Sequence, residues 1–325
     1  MNVPQRLTPP GWEAIVNKRK SLFFDDPWQQ LLIRSLGCRP IYFLDRDGQD
    51  GFIVQVFHKG PFRIGYVGYP IGGTVMGTAV GKERIDQALA HGLDRELHVL
   101  RIRASAFRPE EGLQNGRAEP ETCLLHLQCF KPQADAKLRR ALRRSERFQV
   151  SVREGPGEGS LASQMHQLYH DMLRRHGGLK RYGLAYFHEL SRLATRDDRV
   201  RLFVADKDKK IAGYLVVLWE GDIAYYLHGA VDPDCKPYHV TDRLFCTAIE
   251  AAKQAGMTSF NLWLSPPDQP SLVRFKEKWG GVTRPHMTYE LPAKPRWARV
   301  MKTLASAQRL TDRWVARVRG LSSSA

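Results

Sequence analysis

Residues 258–281, TSFNLWLSPPDQPSLVRFKEKWGG, decide the fold. The run 258–263 is rich in β-formers, and Ser265, Pro266, Pro267 and Asp268 break it before a short helix that carries Lys276. A lysine is thus expected on a helix that directly follows a strand. Upstream, apolar runs at 211–219 and 223–228 flank Glu220, Gly221 and Asp222, a turn that suits an antiparallel hairpin. Between hairpin and strand lies an amphipathic segment, 238–255, with Val240, Leu244, Phe245, Ala248, Ile249 and Ala252 on one face and Gly256 at its end. Over 201–291 the order reads strand, strand, strand, helix, strand, helix, strand.

That order is similar to the GNAT acyltransferase fold. The likeness narrows at Ile223-Ala-Tyr-Tyr-Leu-His-Gly-Ala230, at Ser259-Phe-Asn-Leu-Trp263 and at Leu272-Val-Arg-Phe-Lys-Glu-Lys-Trp-Gly280. Together these resemble the C-terminal half of the Fem-type (FemAB-like) transferases, which move an aminoacyl group from aminoacyl-tRNA to an amine of a peptidoglycan precursor. Related GNAT proteins of exopolysaccharide and natural-product clusters share the pattern. The resemblance covers 23–291 and implies an α/β fold of two tandem GNAT-like domains, each a mixed, mostly antiparallel sheet flanked by helices. The expected division is a flexible lead-in at 1–22, an N-terminal GNAT-like domain at 23–150, a C-terminal GNAT domain at 151–292 and a basic amphipathic tail at 293–325.

Composition fits this division. The 325 residues suffice for two cores, 42% of them are hydrophobic, and no apolar run approaches the roughly 18 residues of a membrane span. The first ten residues hold three prolines and no signal-like apolar stretch, so a cytoplasmic protein is expected. Five cysteines, at 38, 123, 129, 235 and 246, form no Cys-x-x-Cys pair and are expected as reduced thiols. The formal charge of +16 suits a polyanionic partner, whether RNA, phospholipid headgroups or a phosphorylated precursor, or else a basic but inert surface.

Along the chain, Asp26, Pro27 and Trp28 open a helix that stops at Gly37, and strands are expected at 39–44, 52–58 and 62–68. The glycine-rich stretch 65–73 matches no nucleotide-binding fingerprint and reads as a tight bend. In the Fem-type pattern a loop here leads to an active-site acid; this chain has Gly77 at that place. A helix at 80–93, a strand at 97–103, a polar surface loop at 108–120 and a strand at 122–127 complete the first unit. Residues 137–148 form the most basic segment, with Arg139, Arg140, Arg143 and Arg144 on the faces left by Leu138, Ala141 and Leu142. That helix is either a polyanion contact or a structural junction. His166 and His170 stand at i, i+4 with no acidic third ligand beside them, and packing explains them better than a metal. In the tail, Trp297, Val300, Met301, Leu304, Leu310, Trp314, Val315 and Val318 recur at near-helical spacing among arginines and lysines, which suits packing on the domain, contact with an anionic bilayer or, less readily, contact with RNA.

Acyl transfer to an amine needs alignment of the nucleophile on the carbonyl and stabilisation of the oxyanion that develops. Lys276, where the resemblance places an active-site lysine, is the candidate for that stabilisation. Strand alternation puts Tyr226 and His228 on one face of the fourth strand and Tyr225 and Leu227 on the other, so Tyr226 or His228 is expected to orient the amine or relay its proton. Arg175, in the arginine-glycine element 174–178, is expected to contact substrate, and Tyr225, Phe275, Trp263, Trp28 and Tyr69 complete the substrate-binding set. The chemistry requires no metal and no resident cofactor. The donor enters as a co-substrate, and the loop 231–237, with two acids, two prolines and no glycine, lacks the usual coenzyme A pyrophosphate cradle. Aminoacyl-tRNA is therefore preferred over acyl-CoA. The expected acceptor bears an amine, and the expected state is a monomer. A catalytically silent module docked on RNA or membrane is the reading from another class.

Overall fold

The computed structural model describes residues 8–105, 116–132, 135–155, 160–176, 181–294 and 297. Helices α1 (Trp12–Arg19) and α2 (Asp26–Leu36) precede a meander of β1 (Arg39–Leu44), β2 (Gly51–Lys59) and β3 (Phe62–Val67). Asp25 caps α2 by accepting from Trp28 N at 3.1 Å, and Gly37, left-handed, ends it. Helix α3 (Lys82–Ala88) runs through a π-helical turn at Leu89–Leu93 into the short α4 (Asp94–Glu96) and crosses to β4 (Val99–Ala104), parallel to β3. Strand β5 (Arg117–Leu124) follows, and α5 (Ala136–Arg147) leads to the second unit.

That unit opens with β6 (Ser151–Glu154), α6 (Leu161–His176) and α7 (Leu184–Ala194). A second meander, β7 (Val200–Lys207), β8 (Lys210–Glu220) and β9 (Ile223–Val231), leads through a 3-10 turn at Pro233–Tyr238 into α8 (Val240–Gln254). Strand β10 (Ser259–Leu264), parallel to β9, then α9 (Pro270–Glu277) and β11 (Val282–Pro292) complete it. The order read from 201–291 is the order found.

The two units exchange their last strands. Strand β5 of the first pairs with β10 of the second, β11 of the second pairs with β4 of the first, and β5 and β11 pair with each other, all antiparallel. One eleven-stranded sheet results, in the order β1-β2-β3-β4-β11-β5-β10-β9-β8-β7-β6. One apolar cluster spans both units: Trp12, Phe23 and Trp28 lie with Met165, Phe187 and Tyr225. Two further clusters fill the opposite side, one where Leu244 and Ile249 of α8 meet Phe203 and Phe260, the other where Ile85 of α3 meets Phe52 and Val54.

Three expectations change. The lead-in is ordered from residue 8 as far as the structure describes it: α1 buries Trp12, Ile15 and Val16, and Glu220 accepts from Ser21 Oγ (2.6 Å), Leu22 N (2.6 Å) and Phe23 N (3.2 Å). These apolar residues find their partners in distant segments, a relation that local polarity hides. The strand expected at 122–127 is β5, Arg117–Leu124, so part of the expected surface loop is a central strand. The helix at 80–93 breaks its α geometry after Ala88. The tail lies outside the described residues apart from Ala293, Lys294 and Trp297, and the Trp297 ring meets His98 edge-on at 4.3 Å. Among the described residues no helix is long and apolar enough to cross a membrane.

Candidate active site

Strands β9 and β10 run together over only three residue pairs, ending at Asn261 opposite Tyr225. Beyond that pair β9 continues to Val231 and β10 to Leu264, so the sheet opens between them. Each strand carries a bulge at the opening. In β10 the register against β5 slips between Asn261 and Leu264, and Trp263 adopts φ 68°, a left-handed backbone uncommon for a bulky residue. Asn261 Oδ1 fixes this turn by accepting from Trp263 N at 2.8 Å. Trp263 lays its ring edge-on to Tyr225, centroids 5.4 Å apart.

The bulge turns two consecutive carbonyls toward α9. Lys276 Nζ donates to Trp263 O at 3.0 Å and to Leu264 O at 2.8 Å, and the side chain is only 2% exposed. Burial lowers its pKa to about 7, while the Glu121 carboxylate opposes the fall. Lys276 is therefore a buried lysine with fixed partners.

Glu121 and His286, each 2% exposed, form a polar knot at the strand exchange. Glu121 Oε1 accepts from Asn261 Nδ2 at 2.7 Å, and Glu121 Oε2 from His286 Nδ1 at 3.2 Å. A carboxylate only accepts, so the shared proton belongs to Nδ1. Burial works to raise the Glu121 pKa, but hydrogen bonds from His286, Ser105 and Asn261 outweigh it and hold the carboxyl below its usual range. None of Glu121, His286 and Asn261 was singled out from sequence. The signal lay in a polar residue at an inward position of a strand, and Glu121 escaped because its strand was read as starting at Thr122.

The bulge in β9 revises the reading of Tyr226 and His228. Val216 stands opposite His228 but Val217 stands opposite Tyr226, so the residue between, Leu227, is extra. Tyr226 and His228 therefore face opposite sides of the sheet. Tyr226 packs against Phe245 of α8, centroids 5.0 Å apart, and burial pushes its hydroxyl up to about 12. His228 shares the other side with Tyr225, amid Tyr169, Tyr182, Tyr186 and Tyr214. Tyr186 Oη lies 3.2 Å from its Nε2 and Tyr214 Oη 3.3 Å from its Nδ1. A neutral imidazole has one donor and one acceptor, which suits two hydroxyls, and burial lowers the ring's pKa to about 3.

The other expected residues are dispersed. Tyr69 borders the tyrosine group through Tyr182 and packs on Phe57 and Tyr66. Trp28 is a core side chain, 1% exposed, against Phe23. Phe275 packs on Phe245, on the side of Tyr226. Arg175 is exposed; it donates to Asp171 O and Val231 O and lines a separate cleft of about 1080 Å³ with Arg153, Arg174 and Lys210. Arg139, Arg140, Arg143 and Arg144 are all exposed on α5, which packs on α8. His166 packs on Phe187, and no group of three metal-binding side chains occurs among the described residues.

The 3-10 turn after β9 is occupied by its own acids. Asp232 Oδ1 accepts from Asp234 N at 3.0 Å, and in the first turn of α8 Asp242, 7% exposed, takes Lys278 and His239 as partners. A second anion there would meet carboxylates before amides.

Comparison with known proteins bears on the fold. Residues 133–277 match the family model for the acetyltransferase (GNAT) domain. No curated protein sequence matches. Among solved structures the chain is similar to FemX, at TM-score 0.62 and 14% identity over 90% of this chain and 98% of that one. It is similar to the C-terminal domain (DUF2156) assigned to a lysylphosphatidylglycerol synthetase from Agrobacterium fabrum, at TM-score 0.58 and 16% identity over 91% and 94%. A tandem GNAT protein from the clavulanic acid biosynthesis pathway aligns at TM-score 0.50 and 11% identity over 79% and 84%.

Proposed function

We propose that this chain, whose residues 133–277 match the acetyltransferase (GNAT) domain, transfers an aminoacyl group from aminoacyl-tRNA to an amine of a cell-envelope precursor. The amine nitrogen forms a bond to the donor carbonyl carbon, the ester bond to the tRNA ribose breaks, and the ribose oxygen takes up the proton that the amine gives up. The observation that carries the reading is the buried Lys276 ammonium held at the opening between β9 and β10 by two carbonyls. An ammonium has three N–H groups. Two are fixed on Trp263 and Leu264, which leaves the third for the oxyanion of the tetrahedral intermediate.

Three features favour the tRNA-borne donor over acyl-CoA. The acid-filled turn after β9 lacks the amide cradle a pyrophosphate uses. The net charge of +16, with Arg139, Arg140, Arg143 and Arg144 exposed on one helix, suits a nucleic-acid backbone. FemX and the domain assigned to a lysylphosphatidylglycerol synthetase share the fold, and the latter's name joins an aminoacyl group to an envelope lipid. The working site is the cell interior, with the tail as a peripheral contact to the anionic membrane face.

Donor binding tests the proposal. Purified protein is titrated with aminoacyl-tRNA, uncharged tRNA and acyl-CoA at two salt concentrations. Preference for charged tRNA, weakening as salt rises, is expected; preference for acyl-CoA would replace the reading with a thioester-dependent acyltransferase.

A further inference from the structure

We propose that Glu121, delivered by β5 of the first unit, is the positioning residue for Lys276 of the second, so that the acyl-transfer site is complete only once the units have exchanged strands. The inference rests on the role given to Lys276 above and adds a residue the family pattern did not supply: the place of the expected acid is Gly77, and the acid that acts on Lys276 lies elsewhere in the chain.

The geometry is a relay from carboxylate to ammonium. Glu121 Oε1 holds Asn261 Nδ2 at 2.7 Å, and that grip orients the amide so that Asn261 Oδ1 receives Trp263 N at 2.8 Å. Trp263 is the left-handed residue of the bulge, and its carbonyl and that of Leu264 are the acceptors for Lys276 Nζ. Asn261 thus supplies a side-chain tie on the Trp263 amide. The second carboxylate oxygen is held by His286 Nδ1 of β11, so β10 and β11 of the second unit grip one side chain of the first from both sides.

The charges around Lys276 are few. From β5 it faces Glu121, with Cys123 on the same strand in Glu121's own field. From β11 His286 reaches it through Glu121. From β10 it meets only carbonyl oxygens and, beyond them, the Asn261 amide. On α9 itself Glu277 accepts from Thr283 Oγ1, and Lys278, the residue just past the helix, is turned to Asp242. Glu121 is thus the counter-charge that a buried ammonium at this place requires.

Titration of the lysine reports this directly and needs no substrate. Protein carrying lysine labelled with carbon-13 at Cε is followed by NMR from pH 5 to 11, and the Lys276 signal is identified by its loss in Lys276→Met. The wild-type midpoint is expected at about 7. In Glu121→Gln, which keeps the shape and removes the charge, it falls by about one unit or more; Glu121→Asp restores most of the shift. An unchanged midpoint in Glu121→Gln overturns the proposal. Should that variant fail to fold, Asn261→Leu serves: it leaves the Glu121 charge and cuts the tie to Trp263, so the Lys276 signal is expected to move and broaden, and an unaltered signal overturns the proposal. These readouts are independent of the donor, so failure of tRNA binding sinks the functional reading and leaves this one standing, and the reverse holds.

Discussion

Each unit places a crossover strand parallel to the third strand of its meander, yet the two junctions have different fates. In the first, β3 and β4 stay paired from Ile64 opposite Val99 to Val67 opposite Ile102, and the loop beyond is packed shut. A Cβ on Gly72, at φ +81°, would stand 2.0 Å from Arg103 O. In the second, pairing stops after three residues, Trp263 meets Tyr225 at the opening, and the buried Lys276 holds the carbonyls of Trp263 and Leu264. Duplicated architecture thus separates two tasks: one junction is closed by backbone contact, and the other is held open by two bulges.

That contrast can be broken or sharpened by substitution. The largest stability loss is expected at the closed junction, where Gly72→Ala adds both a clash and a strained φ and should cost about 3 kcal/mol in urea unfolding. Next comes the support that the first unit lends the open junction. Glu220 anchors Ser21, Leu22 and Phe23, and the Phe23 ring packs on Tyr225, centroids 5.9 Å apart. Glu220→Ala strands two buried amides, at about 2–3 kcal/mol, and should loosen Tyr225 as read by its ring NMR signals.

Per pH unit, a smaller effect belongs to Lys276 itself. Its folded pKa of about 7 lies below the ordinary 10.5, so between these values the unfolded chain holds a proton the folded chain lacks, and stability rises with pH. The gain should approach ~1.4 kcal/mol per pH unit and vanish in Lys276→Met, as urea midpoints from pH 7 to 10 will show. The smallest change is expected at His228, whose pKa of about 3 keeps it neutral across the working range. Activity profiles of His228→Gln and wild type should have the same shape from about pH 5.5 to 9, whatever their heights.

What sequence reveals here depends on whether the decisive contact is local. The helix expected at 238–255 is Val240–Gln254, and the strand and helix that place Lys276 are β10 and α9, because apolar period and proline breaks are short-range signals. Strand exchange leaves no such mark: β5 pairs with β10 and β11 across more than a hundred residues, and Glu121 gains its meaning only there. The side chosen by His228 was lost to one extra residue, since alternation assumes an unbroken register and Leu227 breaks it. Gly77 stands where the resemblance expects an acid, but an acid's absence from one loop says nothing of one supplied by another strand.

The most direct test of the open junction as the reaction centre is transfer of radiolabelled amino acid from a pool of aminoacyl-tRNAs to an envelope-precursor fraction, by wild type and Lys276→Ala. The wild type is expected to move label into amide linkage, and the variant, with its fold intact by circular dichroism, to do so roughly 10² to 10³ times more slowly. Equal rates for the two proteins would contradict the role of Lys276.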